Sequence, residues 1–477
     1  LTDVTGVQTC ALPISLGYAS TTSYDTLRRV SSTARQYDTA TPPTYSTTSY
    51  TYLASGKTLT VTDPLTNVTT YAYNSLGRRY RTTYADGAVE QSTFNAEGYT
   101  VGTEDPETYY YNTQNATQWY TQVYDYDNWH RQVCTWKLRE DANNPPFVMV
   151  DDLTVLDADS NRISYTDYNG NTTVYTYDAL GRQLTETDPL SNSDLRTYDA
   201  AGNMTSYQDK RGNTTSYTFD ARNRKITEVA PLAAPSNTTS WTYDHNGNVT
   251  CVTDRLGNTT TTVYDRMNRA TEVWNTLNHR IRLNTYNARS ETVAVTDAWS
   301  NNWLTYYYPQ GQVYQTVAPD TGTVTHEYDL AGNRTETTDQ EGGVTQWVYN
   351  SRNRCVEVKH AVGETYQFST YTSYDRNGRV AQSIDGEGCY TDSEYYPEGL
   401  LKRTSYYKYP ITGNSVISVR EYGYDDQGNC TWTTDPAQYT TNMEYDSLNR
   451  EWRSTMPSGA QRSRVFDPNG NVLYEED

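Results

Sequence analysis

The chain has 477 residues, an apolar share of 35% and a formal net charge of -20 from 58 acidic and 38 basic residues. A field of that sign repels phosphate backbones, which excludes nucleic acid as a partner class and leaves room for a basic guest. No apolar run approaches the length of a membrane-spanning helix, so no membrane span is expected in this chain. The low apolar share is offset by 47 tyrosines, each with a large ring and a hydroxyl that needs a partner. Tyr, Thr and Val dominate and favour strands, whereas runs with helical spacing are scarce.

Residues 1–14, LTDVTGVQTCALPI, fit no phase of the repeats downstream and resemble a translated sequencing adapter, so they read as a lead-in. They lack the basic start and apolar stretch of a signal peptide, and the chain reads as a piece of a longer product. Residues 15–115 carry degenerate repeats. Tyr24-Asp25 and Tyr37-Asp38 stand at irregular spacing, but Tyr73-Asn74 and Phe94-Asn95 stand 21 apart. Residues 116–160 form an irregular insertion or rim segment in which Tyr126-Asp127 opens one repeat and NNPP marks a turn.

From 161 to 477 a regular array sets in. Its copies open at Tyr177-Asp178, Tyr198-Asp199, Phe219-Asp220, Tyr243-Asp244, Tyr264-Asp265, Tyr328-Asp329, Tyr374-Asp375, Tyr424-Asp425 and Tyr445-Asp446. Four residues after the aromatic stands Gly or Asn, as at Gly181, Gly202, Gly247, Gly332, Gly378 and Gly428, followed by Arg or Asn as at Arg182. A second Asp lies eleven residues after the aromatic at Asp188, Asp209, Asp254, Asp339 and Asp435, and Gly212 follows one of these.

D-x-x-G-R and D-x-x-G-N are turn sequences, because the Asp carboxylate accepts backbone N–H bonds and Gly or Asn tolerates positive φ. Alternation before each turn, as in Thr173, Tyr175 and Tyr177, marks a strand. Each period therefore holds two strands and two turns. The expected fold is all-β: tandem antiparallel β-hairpins of about 21 residues in a curved, spirally wound sheet. Insertions near 231–235, 386–396 and 407–416 read as longer hairpins on a rim.

Candidate chemistry is sparse. His130, His245, His279, His326 and His360 form no HxxxH pair, and Cys10, Cys134, Cys251, Cys355, Cys389 and Cys430 form no CxxC. A nucleophile elbow and a phosphate-binding loop are also missing, and the Asp turns lack the dense pattern of a calcium loop. No catalytic, cofactor-binding or metal-binding residue is assigned, and the chain is not expected to be an enzyme. The recurrent Tyr, Asp, Gly and Arg positions are read as structural markers.

Blocks such as YDALGRQLTETD, YDAAGNMTSYQDKRGNTTSY and YDLAGNRTETTDQEGG resemble the YD-repeat, or RHS-repeat, family. That resemblance implies part of a hollow shell, with the rest of the same polypeptide as its partner and a secreted or cell-surface location. It further implies a shell that encapsulates or presents a C-terminal toxin domain. This sequence contains no such domain and stops inside a repeat, at FDPNGNVLYEED. A cell-surface adhesion or glycan-binding module is the alternative, to be distinguished by whether Tyr175, Tyr177, Tyr198, Tyr217 and Tyr264 pack against neighbours or stand as a free row.

Overall fold

A computed structural model describes residues 9–13, 19–37, 43–115, 120–140, 147–231, 237–408 and 416–477. The first eight residues, the NNPP turn, most of the 231–235 loop and the centre of the 407–416 expansion lie outside them.

Among the described residues, 41 strands follow one another in chain order, each antiparallel to its predecessor. Fifteen form one sheet, from Thr9–Pro13 to Gln183–Thr187, and 26 form a second, from Leu195–Tyr198 to Val472–Glu476. The ladder breaks at DPLSNSD, where Asp194 turns inward. Its carboxylate accepts the Glu186 N–H (2.9 Å), and its own N–H reaches the Glu186 carbonyl (3.1 Å). One isolated bridge, Thr187 to Ser193, spans the gap, so the two sheets continue one ribbon.

Both kinds of turn are built alike. The first residue accepts the N–H of the fourth and donates to the carbonyl of the fifth, and the fourth takes positive φ. This is a type I turn closed by a left-handed residue, the three-residue hairpin solution that matches strand twist. Gly181, Gly202, Gly212, Gly247, Gly332, Gly378 and Gly428 all occupy that fourth place. Ser191, Thr66 and Thr321 occupy it as well, at φ of 67°, 70° and 73°. A β-branched residue is costly there. Thr66→Gly and Thr321→Gly should each raise stability by about 1 kcal/mol. A urea midpoint that does not rise would show that the threonine side chain makes a compensating contact of its own.

Among the described residues one helix, Pro106–Asn115, interrupts the strands. The Asp105 carboxylate caps it by accepting the Thr108 N–H at 2.8 Å, and Pro106 and Glu107 suit a first turn. Its three consecutive tyrosines favour strand on propensity alone.

Apolar burial is slight. Ala88, Cys134, Leu138, Tyr175, Ala230 and Cys389 are the buried apolar residues among the described ones, and no large side chain is completely enclosed. The ribbon is a wall one sheet thick, held by backbone ladders and side-chain ties in place of a core.

That ribbon returns upon itself. Tyr37, Asp86, Glu107, Arg139, Asn169 and Arg211 meet Tyr328, Arg352, Arg376, Asp426, Gln427 and Asp467 respectively. The separation runs from 256 to 291 residues and both partners advance together along the chain. Two coils therefore lie one above the other, with the second-Asp rim of the first against the Tyr-Asp rim of the second.

Candidate functional site

The feature that repeats most regularly is a tie between consecutive hairpins. In most repeats the leading tyrosine donates its hydroxyl proton to a carbonyl at the start of a preceding strand. Tyr177 reaches Arg162 (2.9 Å), Tyr198 reaches Gln183 (2.8 Å) and Tyr243 reaches Lys225 (2.7 Å). Tyr264, Tyr328, Tyr374 and Tyr445 likewise reach Val249, Val313, Cys355 and Cys430, at 2.7–3.0 Å. Each bond contributes roughly 0.5–1.5 kcal/mol net. Tyr424 has its ring edge-on to Tyr396 instead, and burial pushes its hydroxyl pKa up to about 12.

The turn Asp organises the same junction. Asp178 accepts the N–H groups of Leu180 (2.9 Å) and Arg182 (3.0 Å) on one oxygen and the Arg182 guanidinium (2.6–2.7 Å) on the other. The same guanidinium donates onward to the Asp199 carbonyl (2.9 Å) and lies 4.8 Å from the centre of the Tyr198 ring. Arg224, Arg269 and Arg450 repeat this arrangement on the next repeat's aromatic ring and main chain. Hydrogen bonds from Arg182, Asn203 and Asn248 hold the carboxyls of Asp178, Asp199 and Asp244 below the usual range, and Asp220 beside Arg224 lies at about 2.

On the opposite rim Asp188, Asp254, Asp339 and Asp435 each accept two backbone N–H groups of their own turns. Asp209 does the same and also belongs to the seam between coils, accepting from the Asn469 side chain at 2.8 Å while Arg211 pairs with Asp467 at 3.1 Å. Farther along, Asn169 donates to Asp425 (3.0 Å), Asn449 donates to Asp167 (3.0 Å) and Asn377 donates to Asp105 (2.7 Å). Arg352 pairs with Asp86 (2.9 Å), and Arg139 with Asp426. Every one of these seam contacts has a carboxylate as acceptor. Sequence reasoning located the Asp turns but not the seam, since contacts some 270 residues apart follow from ribbon curvature and leave no local signal.

The two faces of the ribbon differ. Paired hydroxyls line one, as in Thr176 with Thr185 (2.6 Å) and Thr51 with Thr60 (2.6 Å). The other carries Tyr175 opposite Glu186 and Tyr217 opposite Glu228, with Arg162 and Lys225 over the rings. Clefts of about 530 and 470 Å³ lie at the seam, the first lined by Asp194, Arg196, Tyr207, Lys210, Leu448 and Arg450 among others. Among the described residues, no group of three or more His, Cys, Asp or Glu side chains is gathered to hold a metal ion, and no helix is long and apolar enough to cross a membrane.

No curated protein matches the chain. Residues 151–381 match the family described as teneurin YD-shell, and residues 52–89 match the RHS repeat. Among solved structures, the Tc holotoxin pore of Photorhabdus luminescens, with a TccC3 variant, superposes with a TM-score of 0.73 at 15% identity. It covers 98% of this chain and 29% of its own. The TcdB2–TccC3 complex gives a TM-score of 0.64 at 14% identity, covering 96% of this chain and again 29% of its own. This chain thus spans less than a third of those proteins, and at such identity the likeness establishes the fold. The tyrosine ties, the Asp turns, the stacked coils and the two family matches agree, and the chain belongs to the YD-repeat, or RHS-repeat, family of shell-forming repeats.

Proposed function

We propose that this chain is part of the wall of a hollow container that shields a toxic polypeptide belonging to the same gene product and lying C-terminal to the wall. The observation that carries the reading is the seam. A spiral ribbon whose successive rims are hydrogen-bonded makes a continuous wall, whereas an unbonded one would be an open spring. Enclosure requires no bond-making chemistry, so the wall acts without catalysis. The net charge of -20 favours a basic guest, and such a container works outside the cell or at its surface. The glycan-gripping alternative draws no support, since the hydroxyls of Tyr177, Tyr198 and Tyr264 are taken by backbone carbonyls.

Limited proteolysis of the gene product that contains this chain tests the proposal. The segment after the wall should resist cleavage at neutral pH and become cleavable when the seam is weakened by Arg211→Ala combined with Asn377→Ala. Equal cleavage rates in the two proteins, or ready cleavage while the wall is intact, would overturn it.

A further inference from the structure

Two sequence types recur among the Tyr-Asp turns, and their order is not free. Four of them end in Gly-Asn and are followed by another repeat of the same kind: Gly202-Asn203, Gly247-Asn248, Gly332-Asn333 and Gly428-Asn429. In all four cases the next turn ends in Asn-Arg, at Asn223-Arg224, Asn268-Arg269, Asn353-Arg354 and Asn449-Arg450. Asn occupies the positive-φ place of a Tyr-Asp turn at these four positions and at no other described one.

The geometry accounts for the pairing. The side-chain amide of Asn248 has two N–H groups. One goes to the carboxylate of its own turn, Asp244 (2.7 Å), and the other to the side-chain carbonyl of Asn268 in the next turn (2.8 Å). Asn203 bridges Asp199 (2.8 Å) and Asn223 (3.0 Å), Asn333 bridges Asp329 (2.8 Å) and Asn353 (2.9 Å), and Asn429 bridges Asp425 (2.8 Å) and Asn449 (2.9 Å). A glycine in the second turn would offer no acceptor. Where the first turn instead ends in a long side chain, that chain can lie across the same place. A Cβ on Gly378 would stand 2.8 Å from Arg354, one on Gly332 would stand 2.9 Å from Gln312, and one on Gly98 would overlap Arg78. At Gly202 and Gly247, which follow turns ending in Arg182 and Arg224, a Cβ would meet nothing within 4 Å, so crowding acts at some repeats only.

We infer that the Gly-Asn turn and the Asn-Arg turn form a matched clasp that specifies which hairpin can follow which. The left-handed asparagine is selected as an acceptor and is not merely a tolerated stand-in for glycine. At Asn449 the clasp also sets the height of one coil on the other. The same carbonyl that accepts from Asn429 accepts from Asn169 of the first coil (3.2 Å), while the Asn449 amide donates to Asp167 (3.0 Å).

The two roles predict opposite signs. If asparagine only tolerates positive φ, Asn268→Gly should relieve strain and leave exchange protection equal or higher. If it is the acceptor, Asn268→Gly frees the Asn248 amide, and backbone amides of the turns 244–248 and 265–269 should exchange roughly two- to tenfold faster, the equivalent of one neutral hydrogen bond. The double variant Asn248→Arg with Asn268→Gly recreates the natural order seen at Arg182 and Gly202, and should recover that protection. Asn449→Gly should in addition speed exchange in the first-coil turn 167–171. Unchanged or slower exchange in Asn268→Gly, or a double variant no better than the single one, would overturn the inference.

Discussion

Acidified from neutral pH, the chain should hold its strand signal down to about pH 4 and lose it steeply between there and about pH 2. The cause is the repetition of one depressed carboxyl. Side-chain hydrogen bonds from the residue four places on lower the pKa of Asp178, Asp199, Asp244, Asp254, Asp265 and Asp467, and Asp220 reaches about 2. In the unfolded chain each titrates near the ordinary Asp value of about 3.9. A folded-state pKa below the unfolded one means that the stabilisation is complete above the unfolded value and disappears as pH falls toward the folded value. Unfolding in this window must therefore take up several protons together. The alkaline limb has the opposite sign. Burial raises the hydroxyls of Tyr84, Tyr168 and Tyr424 to about 12, so their contribution is complete below the ordinary tyrosine value and fades as pH climbs through 12. Circular dichroism against pH, paired with urea midpoints, measures both limbs. A midpoint that is flat between pH 4 and 2 would show that the Asp turns do not hold the array.

The second large effect is Gly181→Val, which should cost about 2 kcal/mol through backbone strain alone. Gly181 sits at φ +74°, and a Cβ there would also stand 3.2 Å from the Asn161 side chain. The damage should stay local, because a repeat touches its sequence neighbours and otherwise only the coil above or below it. Backbone amides at the 178–182 turn should lose exchange protection, while those of the last hairpin, Gln461–Phe466 and Val472–Glu476, keep theirs. Gly257→Val isolates the backbone contribution, since a Cβ at Gly257 meets nothing within 4 Å at φ +84°. Equal thermal stability of Gly181→Val and the parent would contradict the assigned role.

Much of the architecture is legible in the sequence because it is local. Tyr177, Asp178, Gly181 and Arg182 lie within six consecutive residues and form one turn, and the next Tyr-Asp turn repeats the pattern 21 residues later. The features that stay hidden lack a short-range signal or carry a conflicting one. The helix at Pro106–Asn115 has a capping Asp ahead of it and a proline at its start, yet its run of tyrosines reads as strand. The break at DPLSNSD depends on Asp194 folding back on Glu186, which spacing alone does not reveal. The partners of Asp209 and Asn169 depend on how far the ribbon bends per hairpin, and hundreds of residues must accumulate before that angle brings two rims together. The Asn clasp is visible as a pattern of letters, but its reason lies in the direction of two amide groups.

A wall one sheet thick has a further consequence. Successive side chains of a strand point to opposite faces, so every hairpin contributes to both surfaces of the wall at once. Tyr175 and Thr176 are chain neighbours, yet one faces the aromatic side and the other the hydroxyl side. Substitutions at every second position can therefore recast one surface for a different occupant and leave the other unaltered.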